Sequence, residues 1–288
     1  MPYTLEKQVR DRAPLRRSFF ALAEEVFDLS FESWYENGYW TGNYLPYALA
    51  DGGKVVANAS VNRMDFTWRG TPRRYIQIGT VMTAPAYRGQ GLSRRLIEEI
   101  LADWEGACDG LYLFANDTVL DFYPKFGFEK AAEYQYTLPV SPAAGDFRRL
   151  DMGREEDRRT LLRCYRKSNP FSALAFCQNE GLLMFYCGAF LKDSVYYSPE
   201  LDMAGIAEQE GDTLLCHDLF GEGACSLARA VSRLAAPGTT RAVLHFTPKE
   251  TAGCLCAPLE GEDTLFILRG KENIFRAEKA MFPSLSHA

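Results

Sequence analysis

Residues 87–101, YRGQGLSRRLIEEIL, place two glycines directly before a segment with helical periodicity. Apolar side chains recur from Leu92 at steps of three and four residues, which predicts a helix with one buried stripe. A glycine-rich turn ahead of a helix leaves backbone N–H groups without intrahelical partners, and the helix dipole adds positive potential there. Because glycines let an anion approach the backbone closely, the pattern predicts a phosphate site over residues 89–92.

The segments around this turn predict an α/β fold with a mixed sheet. Residues 15–28 have helical periodicity, and alternating segments on both sides of Asp51-Gly52-Gly53 predict a hairpin. Strands are predicted over 73–84 and 110–115, one before and one after the helix, which favours a parallel unit with a right-handed crossover. Residues 118–126 are predicted to form a helix interrupted by a proline.

The chain is predicted to form two domains in tandem. A linker rich in proline and small residues at 139–149 separates residues 1–138 from residues 150–288. The order of hairpin, helix and strand then repeats downstream, in residues 203–220, 224–236 and 239–248. This repetition indicates a diverged internal duplication.

Composition excludes several classes of partner and site. The net charge of -6 argues against broad nucleic-acid binding, which needs a basic face. No signal peptide and no apolar run of membrane-spanning length is found, which predicts a cytoplasmic protein with no membrane partner. The eight cysteines form no C-x-x-C pair and the three histidines lie far apart in the sequence, so no metal site is predicted.

Comparison with known phosphate-binding sequence patterns narrows the class of ligand that the turn could bind. The Walker pattern is missing, and the dinucleotide fingerprint requires glycine or alanine where Arg94 stands. The turn instead resembles the acetyl-CoA signature of the GNAT N-acetyltransferase superfamily, [Q/R]-x-x-G-x-[G/A], although Ser93 departs from it at the last position. A second stretch, NDTVLDFYPKFGFE at 116–129, resembles the family's N-x6-Y-x3-GF segment.

This resemblance implies two tandem GNAT-like domains, acetyl-CoA as co-substrate, and acetyl transfer to a primary amine of a small molecule or peptide. In the family two adjacent parallel strands splay apart and admit the pantetheine arm between them. The resemblance assigns Tyr123 to the thioester sulfur, where its phenol would act as general acid. The residues that it implies for cofactor binding are Val81, Met82, Thr83, Arg88, Gly89, Gln90, Gly91, Leu92, Ser93, Arg94 and Asn116.

Each of these residues also has a purely structural interpretation. Gly89 and Gly91 could simply permit a tight turn, and Asn116 could only cap a helix. Tyr123 could be a core aromatic, and Arg94 a solvated helix residue. The sequence leaves these alternatives open.

The general base is less clearly indicated. Some family members place a glutamate five residues before the motif asparagine, where this chain has Leu111. Substitutes are a water chain, Glu32, Asp65, or the C-terminal carboxylate of Ala288. The last rests on a resemblance to tandem-GNAT acetyltransferases such as the enhanced intracellular survival group, whose chain terminus can reach the active site. A packed tail without catalytic function is the alternative.

The second domain and the acceptor are described by weaker patterns. In the second half the counterpart of the glycine turn reads GEGACS, and Glu222 places negative charge where a pyrophosphate would lie. This half is therefore expected to bind no CoA and to wall the cleft, support the fold or mediate a homodimer. The aromatic-rich residues 31–47, with Glu32 or Glu36, would suit a cationic amine, or would only pack a helical hairpin. A non-catalytic acyl-CoA-binding regulatory protein is the alternative function.

Overall fold

The computed structural model describes residues 3–261 and 263–288. The helices are α1 (Ala13–Phe27), α2 (Glu32–Glu36), α3 (Leu92–Trp104), α4 (Glu155–Lys167), α5 (Glu180–Phe185) and α6 (Leu227–Leu234). The strands are β1 (Thr4–Glu6), β2 (Tyr44–Asp51), β3 (Lys54–Trp68), β4 (Thr71–Thr83), β5 (Gly110–Asn116), β6 (Phe128–Lys130), β7 (Tyr134–Pro139), β8 (Arg148–Arg149), β9 (Leu174–Cys177), β10 (Val195–Ser198), β11 (Met203–Glu210), β12 (Thr213–Gly221), β13 (Arg241–Leu244), β14 (Leu255–Pro258) and β15 (Asp263–Leu268).

These strands form two mixed sheets that share one topology. The first has the order β1-β2-β3-β4-β5-β15-β6, with β9 paired to β3 beside this path, and the second has the order β8-β10-β11-β12-β13-β7-β14. In both sheets the fourth and fifth strands are parallel, and the other neighbours are antiparallel. The predicted mixed α/β fold with two tandem domains is confirmed.

The two sheets exchange one strand each. Strand β15, from near the end of the chain, lies between β5 and β6, while β7 lies between β13 and β14 of the second sheet. Sheet membership therefore crosses the predicted boundary in both directions. The division into residues 1–138, 139–149 and 150–288 stays a prediction.

Helix α3 forms over the residues that the sequence predicts. Its stripe of Leu92, Leu96, Ile97 and Ile100 is buried against the first sheet, and each such side chain stabilises the fold by about 1.5 to 3 kcal/mol. Burial of this stripe fixes the helix on the sheet face. It thereby fixes the glycine turn at the helix entrance.

The segment after β5 differs from its predicted form. The predicted helix over residues 118–126 is replaced by two short 3-10 turns, Asp117–Val119 and Tyr123–Phe126. Pro124 has no N–H to donate, and Gly127 has a φ of 88°, a left-handed conformation that ends the second turn. Only residues 125 and 126 lie between Pro124 and Gly127, which is too few to continue an α-helix.

Candidate active site

The candidate site is a cleft where β4 and β5 separate. Their parallel pairing runs from Tyr75 and Gly110 to Ile78 and Leu113, and it stops there although both strands continue. A register shift between β3 and β4, with Thr80 at a φ of 49°, accompanies the separation. The resulting cleft has a volume of about 880 Å³.

The glycine turn forms one end of this cleft. Gly89 and Gly91 both have a φ of 75°, and a Cβ built on either residue would meet no atom within 4 Å. No side chain caps α3. Among the described residues, the N–H groups of residues 89–94 find no hydrogen-bond acceptor. The turn therefore offers open space and unsatisfied donors, which suit an anion.

Most of the predicted cofactor-binding residues lie together in this cleft. Gln90 is the exception, because its Oε1 accepts a hydrogen bond of 2.6 Å from the Tyr3 hydroxyl outside the lining. Arg94 lies over the Phe126 ring and lines the cleft with its charge exposed. The predicted residues in the lining are Val81, Met82, Thr83, Arg88, Gly89, Gly91, Leu92, Ser93, Arg94 and Asn116.

Ser93, the residue that departs from the family pattern, connects two walls of the cleft. Its Oγ lies 3.0 Å from Oγ1 of Thr83, the last residue of β4. This hydrogen bond ties the first turn of α3 to the strand end. The hydroxyl thus contributes a contact that glycine or alanine would lack.

Asn116 caps the short turn that follows β5 and also lines the cleft. Its Oδ1 accepts hydrogen bonds from the N–H and hydroxyl of Thr118, at 3.1 and 2.5 Å. Its Nδ2 donates to no described residue. The structural and functional interpretations of Asn116 are therefore compatible, because they use different atoms of the amide.

Tyr123 lies in the cleft wall with only 5% of its surface exposed. Its hydroxyl makes no hydrogen bond with any residue that the structure describes. Burial raises the pKa of Tyr123 to about 12, so the phenol keeps its proton at neutral pH. This side chain can donate a proton to a ligand in the cleft.

The acidic side chains proposed as bases lie elsewhere. Asp65 is outside the cleft lining and lies 3.7 Å from the Arg74 guanidinium, and Glu32 is exposed on α2, also outside the lining. Leu111 is fully buried in the core beneath the helix. Neither carboxylate is placed to take a proton from a group in the cleft.

The end of the chain does reach the cleft. The carbonyl oxygen of Ala288 accepts a hydrogen bond of 3.1 Å from Nε2 of Gln77, which is buried on β4. A Cβ at Gly79 would lie 2.1 Å from that oxygen, so only glycine fits there. A glycine inside a strand pattern signals close approach of another backbone, and this signal could have identified Gly79 from the sequence.

The segment 279–288 is held by polar contacts along its length. Oε1 of Glu133 accepts from the N–H of Phe282 at 2.7 Å. Thr247 both accepts from the N–H and donates to the carbonyl of Met281, at 2.8 and 3.0 Å. These contacts anchor the segment to the chain before β7 and to the chain after β13.

Histidines of the second domain hold the next residues of the same segment. Nδ1 of His217 lies 3.1 Å from Oγ of Ser284, and its Nε2 lies 2.9 Å from Glu208. The N–H of Ser284 donates to the carbonyl of His245, 2.9 Å away. The segment thus bonds both β12 and the chain after β13, just beyond the point where the parallel pairing of these two strands ends. The sequence does not predict this cluster, because Glu208 and Ser284 are far apart along the chain.

Glu133 provides a stability test of this anchor. Burial raises its pKa from 4.5 to about 7. Because the folded value exceeds the unfolded one, its contribution to stability is present below pH 4.5 and is lost as the pH rises through 7. Glu133→Gln keeps an oxygen for Phe282 and removes the titration. Between pH 5 and 8 the wild type should lose about 2 to 3 kcal/mol relative to this variant in urea unfolding.

Glu98→Gln is the matched control for that comparison, since Glu98 is exposed on α3. It should follow the wild-type pH dependence. Parallel pH profiles for the wild type and Glu133→Gln would contradict a raised pKa at Glu133.

Aromatic side chains form the end of the cleft beside the chain terminus. The His287 ring stacks on Phe114 with centroids 4.0 Å apart, and the Tyr186 hydroxyl donates to the His287 carbonyl at 2.6 Å. Burial, with a smaller effect of nearby His245, lowers the pKa of His287 to about 4, so its imidazole is neutral at neutral pH. Phe185 completes this wall.

The aromatic-rich residues 31–47 do not form the acceptor lip. Phe31, Trp34, Trp40 and Tyr44 are buried together in one core cluster with α1, and none of them lines the cleft. The structural interpretation of this stretch is the correct one. Aromatic composition alone does not distinguish a core from a binding surface.

The second domain lacks the features of the glycine turn. Ser226 caps α6 through its side chain, so that helix start has its own acceptor. Glu222 is exposed and pairs with Lys167 at 2.5 Å. Among residues 3–261 and 263–288, no group of three or more histidine, cysteine or acidic side chains could hold a metal ion, and no described helix could span a bilayer.

Comparison with known proteins finds a family match within the first half of the chain. The family model for the acetyltransferase (GNAT) domain matches residues 14–131. N-alpha-acetyltransferase RimI of Mycobacterium tuberculosis (strain ATCC 25618 / H37Rv) is 32% identical over 103 residues, which cover 35% of this chain and 63% of that protein. The chain thus matches less than two thirds of this relative's length.

Two solved structures share the fold over nearly the whole chain. A probable N-acyltransferase from Enterococcus faecalis V583 aligns with a TM-score of 0.61 at 14% identity, covering 93% of this chain and 72% of that one. Eis1 from Mycobacterium abscessus aligns with a TM-score of 0.58 at 16% identity, covering 91% and 72%. The family match is confined to residues 14–131, and the likeness to these two structures shows that the chain shares their fold.

Proposed function

We propose that this protein is an acetyl-CoA-dependent N-acetyltransferase that acts on a primary amine. The observation that carries the proposal is one cleft that holds an anion-binding turn, a protonated buried phenol and the end of the chain. The curated relative that the chain matches is named as an N-alpha-acetyltransferase, which supports the same reaction class.

The residues of the cleft fit the proposed co-substrate. The open turn at Gly89 and Gly91 leaves room for a pyrophosphate against backbone N–H groups. Arg88 and Arg94 add positive charge at the same end. The unpaired edges of β4 and β5 beyond Ile78 and Leu113 leave space for an extended arm between the strands. Nδ2 of Asn116 is available to that arm.

Acetyl-CoA, when bound, supplies a thioester whose carbonyl carbon accepts the amine nitrogen. The carboxylate of Ala288, where it is the last residue, takes a proton from the acceptor ammonium and so restores the nitrogen lone pair. The backbone N–H groups near Met82 stabilise negative charge on the carbonyl oxygen. As the C–N bond forms and the C–S bond breaks, Tyr123 gives its proton to the sulfur, and the second proton lost by the nitrogen returns to the Tyr123 phenolate. The proton taken by Ala288 leaves to solvent.

The chain terminus offers a test of the base. A chain that ends at Ala288 should turn over at least about tenfold faster than one extended by two residues, because the extension moves the carboxylate away from the cleft. KM for acetyl-CoA should stay the same. Ala288→Gly is the matched control, since it keeps a terminal carboxylate and should hold kcat within about twofold. Full turnover by the extended chain would remove Ala288 as the base.

The alternative is a non-catalytic acyl-CoA-binding regulatory protein, which the absence of a strand carboxylate at Leu111 favours. Release of free CoA thiol that depends on added amine separates the two functions. A regulatory protein should bind acetyl-CoA and release no thiol with any amine of a panel. A homodimer and a cytoplasmic location stay predictions.

A further inference from the structure

The end of the cleft beside the chain terminus, called the acceptor end below, has an apolar and aromatic surface. Of the large hydrophobic side chains, the described residues expose Phe27 by 46%, Phe190 by 61% and Leu255 by 71%. Phe27 lines the cleft, and Phe190 packs on Phe185 with centroids 5.4 Å apart. Exposed apolar groups concentrated at a groove are typical of a ligand surface.

A π-helical turn builds one side of this surface. Residues Tyr186–Phe190 follow α5 directly, in a rare conformation that is frequently found at functional sites. The turn presents Phe190 at the surface, next to Tyr186, which lines the cleft. Tyr186 in turn holds the last residues of the chain through the His287 carbonyl. The aromatic surface and the proposed base are therefore parts of one wall.

The charges of the cleft argue against a polycation. Besides the carboxylate of Ala288, the described lining contains one acidic side chain, Asp263. The other charged side chains in the lining are Arg88 and Arg94, at the cofactor end. The neutral imidazole of His287 adds no charge at neutral pH. An acceptor with three or more ammonium groups, such as spermidine, would have more positive charges than the described lining has carboxylates.

We propose that the acceptor is a primary amine with a single positive charge, carried on an aromatic or extended apolar body. The proposal rests on the N-acetyltransferase function and narrows its substrate class. The ammonium lies at the carboxylate of Ala288, where it loses its proton. The apolar body covers Phe27, Phe185 and Tyr186 and displaces water from them.

Acceptor competition tests the class. With wild-type protein and saturating acetyl-CoA, kcat/KM should be about tenfold to a hundredfold higher for 2-phenylethylamine than for ethylamine or spermidine, because only the first buries a ring. A peptide with N-terminal phenylalanine, run beside 2-phenylethylamine, shows whether a free amine or a peptide terminus presents this chemistry. Spermidine as the best acceptor would overturn the proposal and leave the N-acetyltransferase function intact.

Variants locate the selectivity. Phe27→Ala should lower kcat/KM for 2-phenylethylamine about fivefold more than for ethylamine. Leu255→Ala removes an even more exposed apolar side chain, on β14 outside the cleft lining, and should change neither value. An equal loss for both amines in Phe27→Ala would contradict an apolar subsite. Acetyl-CoA binding without acetylation of any amine would overturn the transferase function itself, and the acceptor class with it.

Discussion

Gly91→Glu is expected to abolish binding of acetyl-CoA. The substitution places a negative carboxylate at the turn, where the unsatisfied N–H groups of residues 89–94 are proposed to hold the pyrophosphate. Acetyl-CoA at 100 times its dissociation constant should stabilise the wild type by roughly 2.7 kcal/mol, which raises the unfolding midpoint by several degrees. In the variant the shift should vanish, and thermal unfolding with and without ligand measures both.

Gly53→Glu is the matched control for this substitution. Gly53 has a φ of 85° in the hairpin turn between β2 and β3, and a Cβ there would meet no atom within 4 Å, as at Gly91. Both variants therefore carry a similar backbone strain of about 1 to 2 kcal/mol. The control should keep the full ligand-induced shift. A shift that survives in Gly91→Glu would place the cofactor away from the turn.

Tyr123→Phe is expected to lower kcat by about a hundredfold to a thousandfold. The ring stays buried, and the hydroxyl bonds to no described residue, so the substitution removes a proton donor and little else. Affinity for acetyl-CoA should remain near that of the wild type. Release of free CoA thiol at a saturating amine concentration measures turnover, and unfolding in urea measures stability.

Tyr87→Phe is the control for the loss of a hydroxyl at this cleft. Tyr87 also lines the cleft, but its hydroxyl donates to Asp51 at 3.1 Å, away from the proposed sulfur position. Its kcat should fall by less than about threefold. Equal turnover by Tyr123→Phe and the wild type would assign Tyr123 to packing alone.

Local signals predicted the elements that position the cofactor end of the cleft. The apolar stripe of α3 and the hairpin at Asp51-Gly52-Gly53 depend on neighbouring residues, and the structure has both. The glycine turn could also be predicted from the sequence, because the positive φ of Gly89 and Gly91 depends on the residues themselves. The resemblance over residues 116–129 identified Asn116 and Tyr123, and both line the same cleft as the glycine turn.

The remaining features depend on contacts between distant residues. The exchange of β7 and β15 cannot be predicted from alternation, because each strand would fit either sheet by pattern. Anchoring of the chain end depends on pairs such as Glu133 with Phe282. For the aromatic stretch 31–47 the sequence left both an acceptor lip and core packing open, because composition does not say which surface covers a ring, and the structure shows core packing. Gly79, a glycine inside strand β4, is the one local sign in the sequence that the chain end approaches this strand closely.

The most direct test of the central claim measures both products of one reaction. Wild-type protein is incubated with acetyl-CoA and 2-phenylethylamine, and free CoA thiol and the acetylated amine are quantified in the same sample. An N-acetyltransferase should produce one amide for each thiol released, and Gly91→Glu should produce neither. Binding of acetyl-CoA by the wild type with no amide formed from any amine of a panel would contradict the enzyme assignment and favour a regulatory acyl-CoA-binding protein.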